Sequence, residues 1–243
     1  MRPFLFLGTR AEDAAADGEY AAVLVATGLD ETDVRRVRLE AESLPHVDLD
    51  DWSGIVLGGG PFNVSDPDEL KSPVQVRVEA ELRELAGRVV AEDFPFLGAC
   101  YGIGTLGTLA GGLVDRTHSE PIGAATISLT EEGAADPLFG VLPRSFDAFL
   151  GHKEAVSRLP EGAVLLASSA ACPVQAFRIG GHVYATQFHP ELDVEGICVR
   201  IDVYRDYGYF EPSGAEELKR AARAATVTEP TRLPARFVEL YAR

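Results

Sequence analysis

Three cysteines, one methionine and one tryptophan in 243 residues leave this chain little with which to cross-link itself or bind a soft metal. Cys100, Cys172 and Cys198 form no C-x-x-C pair, and so odd and sparse a set argues against a disulfide framework or a structural zinc site. Positive charge is also scarce. Lys and Arg number 22 against 38 Asp and Glu, a formal net charge of −16. Such a surface repels phosphate backbones and anionic headgroups, so neither nucleic acid nor a membrane is expected as a partner. Long apolar runs are missing as well. The opening run ending at Leu7 is too short for a secretory signal, and nothing approaches the ~20 apolar residues of a membrane helix. A cytoplasmic protein is expected.

What is present suits a packed core: 46% hydrophobic and 25% charged residues. The length fits one domain over 1–243, with a helical tail from about 211 to 243. Phe4 to Leu7, closed by Gly8, reads as a buried strand, and 11–26, rich in Ala and Glu, as a helix. Residues 54–57 form an apolar run that stops at Gly58-Gly59-Gly60-Pro61, the pattern of a central strand feeding a tight loop. Leu70, Val74, Val78, Leu82 and Leu85 recur at helical spacing, with Pro73 tolerated in the first turn. A strand at 94–97 and a small-residue helix at about 101–110 follow. Strands are then expected at 121–129, 145–150, 163–168, 173–179 and 182–188, the last two joined at Gly180-Gly181. Helices close the chain, the first with Val194, Ile197, Cys198, Ile201 and Tyr204 on one face. Alternating strands and helices followed by a strand-rich stretch predict an α/β fold, its sheet mostly parallel with antiparallel additions.

Three segments could carry chemistry. Gly98-Ala99-Cys100-Tyr101-Gly102 reads G-x-C-x-G where a buried strand meets a helix. A sharp strand-to-helix turn would strain Cys100, project its thiol and set it at a helix N-terminus that favours thiolate. A core cysteine between packing glycines is the other reading. Gln187-Phe188-His189-Pro190-Glu191 ends a strand at Pro190. Residues two apart in an extended chain share a side, so Glu191 could orient His189 and leave one ring nitrogen to face a thiol; a surface turn is the alternative. The glycine loop could supply the Gly60 N–H to an oxyanion, with the Tyr101 N–H as the other half. It could also be a phosphate loop, but the Lys-Ser/Thr ending of that motif is absent.

In this order, the glycine-proline loop, G-x-C-x-G and Q-F-H-P-E resemble the class I glutamine amidotransferase family. The likeness is nearest to free-standing members related to the amidotransferase domain of GMP synthetase, which carry Cys-Tyr-Gly at the nucleophile. The resemblance implies a flavodoxin-like fold with helices on both faces. It also implies a Cys100–His189–Glu191 triad that hydrolyses the side-chain amide of glutamine through a thioester, with no cofactor. Gly59, Gly151 and His152 are implied as substrate contacts. The family usually has Gln four residues after the nucleophile, where this chain has Gly104, so another γ-glutamyl amide is an alternative substrate. Neither an S-G-G-x-D-S loop nor a Walker motif is present, so either an ATP-using synthetase is a separate subunit or the protein is a hydrolase on its own. The intact triad argues against one further alternative, a catalytically silent regulatory subunit.

The remaining candidates read as structural. Cys198 is assigned to core packing and Cys172 has no assigned role. His46 and His182 belong to the surface, while His118 borders the site without being required. No metal is expected, because no His, Asp or Glu cluster has ligand spacing. Asp13, Asp17 and Glu19 read as a solvated helix face.

Overall fold

The computed structural model describes residues 1–243. Its strands are β1 (Phe4–Gly8), β2 (Val34–Arg38), β3 (Gly54–Leu57), β4 (Phe96–Ala99), β5 (Leu113–Asp115), β6 (Glu120–Leu129), β7 (Ser145–His152), β8 (Ala155–Arg158), β9 (Val164–Ser169), β10 (Ala176–Ile179) and β11 (Val183–Thr186). Its helices are α1 (Asp13–Thr27), α2 (Pro73–Ala91), α3 (Tyr101–Gly107), α4 (Glu131–Ala135), α5 (Val194–Val203), α6 (Ala215–Ala224) and α7 (Arg232–Tyr241). One sheet of nine strands has the order β2-β1-β3-β4-β11-β10-β9-β6-β7, and β5 pairs with β8 apart from it. The first five strands are parallel and the other four join antiparallel, as the sequence predicts. The parallel part has the doubly wound order of flavodoxin-like sheets, with β11 in fifth place.

Alternation along the strands divides the core. Leu5, Leu7, Ile55 and Leu57 face Val78, Leu82 and Leu85 of α2. Phe4, Phe6 and Val56 face Val23 of α1 and Leu233 and Phe237 of α7. Helices therefore cover both faces, because parallel strands must be buried on both. Leu70 and Val74 do not join the α2 face. Leu70 precedes the helix and Val74 lies in its first turn, where Ser72 Oγ accepts from the Gln75 N–H at 3.1 Å; both side chains are exposed. The sequence reading missed β2, β5 and β8. In β2 only Val34 and Val37 are buried, three residues apart, and arginines occupy the other three positions, so no two-residue period shows.

This topology gathers the chemistry at one edge. Strands β1, β3, β4 and β11 run side by side, so the turns that follow them converge at their C-terminal ends. Ligands of open α/β sheets bind there.

Candidate functional site

Cys100 occupies the turn between β4 and α3, with φ 53° and ψ −86°. That is a strained conformation for a residue with a side chain, held here by a Cys100 N–H bond to the Thr186 carbonyl at 2.7 Å. A Cβ on Gly98 would lie 2.8 Å from Gly102 Cα, so the strand can approach the helix this closely only with glycine at 98. Cys100 is half-buried and belongs to no core cluster, unlike the core-cysteine alternative. The helix N-terminus is expected to favour thiolate, and burial acts against it. Burial pushes the thiol up to about 12, although Arg10 and Arg200 draw it down. Desolvation outweighs a helix of only seven residues.

His189 and Glu191 meet through a turn rather than along a strand. β11 ends at Thr186, and the His189 N–H then donates to the Phe149 carbonyl at 2.9 Å. Nδ1 lies 3.0 Å from Glu191 Oε1, while Nε2 has no protein partner. An ideal Cβ on Gly59 would fall 2.5 Å from His189 Cε1 and 3.4 Å from Cys100 Cβ, so imidazole and thiol flank the same glycine. Burial and the Arg200 charge lower the proton affinity of His189. Burial alone would raise that of Glu191, but His189 and Arg200 hold the carboxyl well below its usual range.

The glycine loop after β3 is pressed from three sides. Cβ atoms on Gly58 and Gly59 would lie 2.5 Å from Glu19 Oε2 and 2.8 Å from Arg10 Nη2, and one on Gly60 would collide with Thr9 Oγ1. Glu19 corrects the sequence reading: Asp13 and Asp17 are solvated, but Glu19 is 2% exposed and accepts from the Gly59 N–H at 3.1 Å. Its neighbours on α1, Ala15 and Val23, are buried at the same helical spacing, a signal that could have placed it inward. Arg10 and Arg200 were also missed. Arg200 is one buried charge among Ile197, Cys198 and Ile201 on α5. Gly60 and Tyr101 line one cavity together with Cys100, and Tyr101 opens α3, where N–H groups have no partner inside the helix.

Two small cavities, of about 30 and 20 Å³, meet at Cys100, Gly60, Gly151 and Tyr209. His189 lines the first; His152, Glu154 and Gln187 line the second, where Gln187 Oε1 is buried without a partner. The Lys153 ammonium stands 4.4 Å over the Tyr209 ring and donates to the Tyr207 carbonyl. The space beside Gly104 is filled: a Cβ there would meet Glu154 Oε1 at 3.1 Å and Val64 at 3.2 Å. The Glu154 carboxylate accepts from the Val64 and Ser65 N–H groups at 2.8 Å each.

Two buried triplets, Glu120–His152–Cys172 and Glu19–His189–Glu191, bring possible ligand atoms within 4.8 Å, although no sequence spacing announces them. Both carboxylate sets already face donors that would compete with a cation: Gln175, Ser169 and His152 around Glu120, and Arg10 and Arg200 around Glu19.

Residues 21–195 match the family model described as glutamine amidotransferase class-I. The chain is similar to the glutamine-hydrolysing GMP synthase of Thermosipho africanus, 32% identical over 169 residues, which span 65% of this chain but 30% of that protein. It is also similar to a Methanocaldococcus jannaschii protein named as one subunit of glutamine-hydrolysing GMP synthase, 32% identical over 57% of this chain and 64% of that one. Among solved structures, a glutamine amidotransferase from Thermotoga maritima superposes with a TM-score of 0.75 at 20% identity, covering 100% of this chain and 99% of that one. One from Methylobacillus flagellatus gives 0.71 at 18% identity, covering 98% and 95%. No helix is long and apolar enough to cross a membrane.

Proposed function

Since the chain belongs to the class I glutamine amidotransferase family, we propose that it hydrolyses the side-chain amide of glutamine through a thioester on Cys100. The reading rests on one observation: His189 is held at Nδ1 by Glu191, with Nε2 unengaged, against the glycine that also touches Cys100. The Cys100 sulfur adds to the amide carbon as its proton passes to His189 Nε2, and the oxyanion takes the Gly60 and Tyr101 N–H groups. As the C–N bond breaks, that proton goes to the departing ammonia. Water, deprotonated by His189, then cleaves the thioester to give glutamate and the thiol. Gly151 and His152 border the substrate, whereas Gly59 lines neither cavity and gives its N–H to Glu19; the unpartnered Gln187 Oε1 offers an acceptor to a polar ligand there. The ammonia serves a separate ATP-using synthetase subunit. One relative, named as one subunit of a glutamine-hydrolysing GMP synthase, supports this.

A second reading, a γ-glutamyl amine as substrate, is favoured by Gly104, whose side-chain space Glu154 and Val64 occupy. Ammonia release from L-glutamine by the purified chain tests the first. Cys100→Ala should reduce it by at least ~10³-fold with the fold unchanged. Release that survives this change would overturn the thioester, and turnover of γ-glutamyl amines without turnover of glutamine would select the second reading.

A further inference from the structure

Arg10, Glu19 and Arg200 are 4%, 2% and 5% exposed, and together with Glu191 they place four charges in the interior beside His189. Burying ions is costly, and apolar side chains of similar size often hold a fold at least as well. The location of these charges therefore needs a reason. One atom organises them: Glu19 Oε1 accepts from Arg10 Nε at 3.0 Å, from Arg200 Nη2 at 3.3 Å and from the Gly59 N–H at 3.1 Å. The Arg200 fork then reaches Glu191 Oε1 at 2.8 Å and His189 Nδ1 at 2.9 Å.

Nδ1 is thus contested. If it carries the proton, it donates to Glu191 and Nε2 can act as a base. If it is bare, it accepts from Arg200 and Nε2 holds the proton, facing Cys100 in the wrong tautomer. We propose that Arg200, held by Glu19, is a positioning residue of the site: by fixing Glu191 Oε1 as the acceptor beside Nδ1 it keeps the His189 proton on that nitrogen, and it ties the His189–Glu191 pair to the Gly59 loop. The proposal rests on the thioester reading for its consequence in turnover. Arg10, Glu19 and Arg200 all lie outside the 21–195 match, so the family pattern does not supply them.

The groups facing His189 are Glu191 on its own turn, Arg200 from α5, Glu19 from α1, Arg10 after β1 and Cys100 before α3. Tyr204, at the end of α5, touches Arg10 and Glu12. After burial, the Arg200 charge lowers the proton affinity of His189, and against burial it favours the Cys100 thiolate. Removing that charge raises both affinities, so both limbs of the pH–rate profile move to higher pH. Removing the Glu19 charge leaves Arg200 less compensated and moves both limbs the other way.

The experiment is the pH dependence of kcat/KM for glutamine in wild type, Arg200→Gln, Arg200→Lys and Glu19→Gln. Arg200→Gln should shift the limbs to higher pH and lower kcat more than KM. Arg200→Lys should keep the limbs in place and recover part of kcat, and Glu19→Gln should shift the limbs down. Lower activity with unmoved limbs, in whichever variants fold, would reduce the network to scaffolding and overturn the proposal. The pH dependence of Cys100 alkylation by iodoacetamide gives the same shifts without turnover. Displaced alkylation midpoints in a chain that releases no ammonia would sink the glutaminase reading and leave this one standing.

Discussion

Two histidines lie 3.0 Å from two glutamates in this molecule, and all four side chains are buried. The pairs differ at the second ring nitrogen. His152 gives Nε2 to Glu120 and Nδ1 to the Glu154 carbonyl at 2.9 Å, so both nitrogens are spent on neighbours. Gln175 and Ser169 complete the shell around Glu120. His189 engages only Nδ1, and its Nε2 opens on the cavity it shares with Cys100. The same residue pair is a brace in one place and a candidate base in the other. What separates them is the coordination of one atom.

The sharpest way to break this comparison is to remove each imidazole. His189→Asn should lower kcat by about 10³-fold, within the range of general acid–base contributions, and leave the fold intact by circular dichroism. His152→Asn should instead cost about 2–3 kcal/mol of unfolding free energy, since Glu120 and the Glu154 carbonyl lose a buried donor. It should raise KM while keeping kcat within about tenfold. Equal losses of kcat in the two variants would dissolve the distinction.

A smaller effect is expected at Gly104. Restoring the family's glutamine there forces a side chain against Glu154 and Val64, so Gly104→Gln should destabilise by about 1–3 kcal/mol without improving KM for glutamine. A lower KM at unchanged Tm would mean that Glu154 yields the space readily.

The smallest effect is on acid stability. His189 and Glu191 both have folded-state proton affinities below their ordinary values. The unfolded chain therefore binds protons that the folded chain refuses as pH falls, first near the usual His value of about 6.5 and then near the usual Glu value of about 4.3. Stability should be full above about pH 7 and decline through that window, measured by urea unfolding at several pH values. His189→Asn should flatten the upper part of the decline. An unchanged slope there would mean that His189 is not the group responsible.

Strands β1, β3 and β4 were legible because each is a short apolar run that meets glycine. The turns bearing Cys100 and His189 were legible because proline and glycine mark them. Strand β2 was not, since its two buried residues, Val34 and Val37, stand three apart on opposite faces and arginines fill the rest. Nor were Arg10, Glu19 and Arg200. Charge in a sequence implies solvent unless its partners are known, and these three lie 9, 181 and 190 residues apart, taken pairwise. The network exists only once α1 and α5 pack side by side. Gly104 stood out as a departure, but Glu154, which fills its place, could be identified only in three dimensions.

The cavities at Cys100 are about 30 and 20 Å³, roughly one water's share of liquid each, and Tyr209 borders both. Were Tyr209 and its neighbours to move apart to admit an amino-acid amide, the site would have a closed and an open form. Affinity measured for any substrate is then the intrinsic affinity of an open form multiplied by its population. Every tenfold scarcity of that form weakens apparent binding by about 1.4 kcal/mol with no contact to the substrate altered. A partner that prefers the open form would strengthen binding by the same arithmetic while never approaching the thiol.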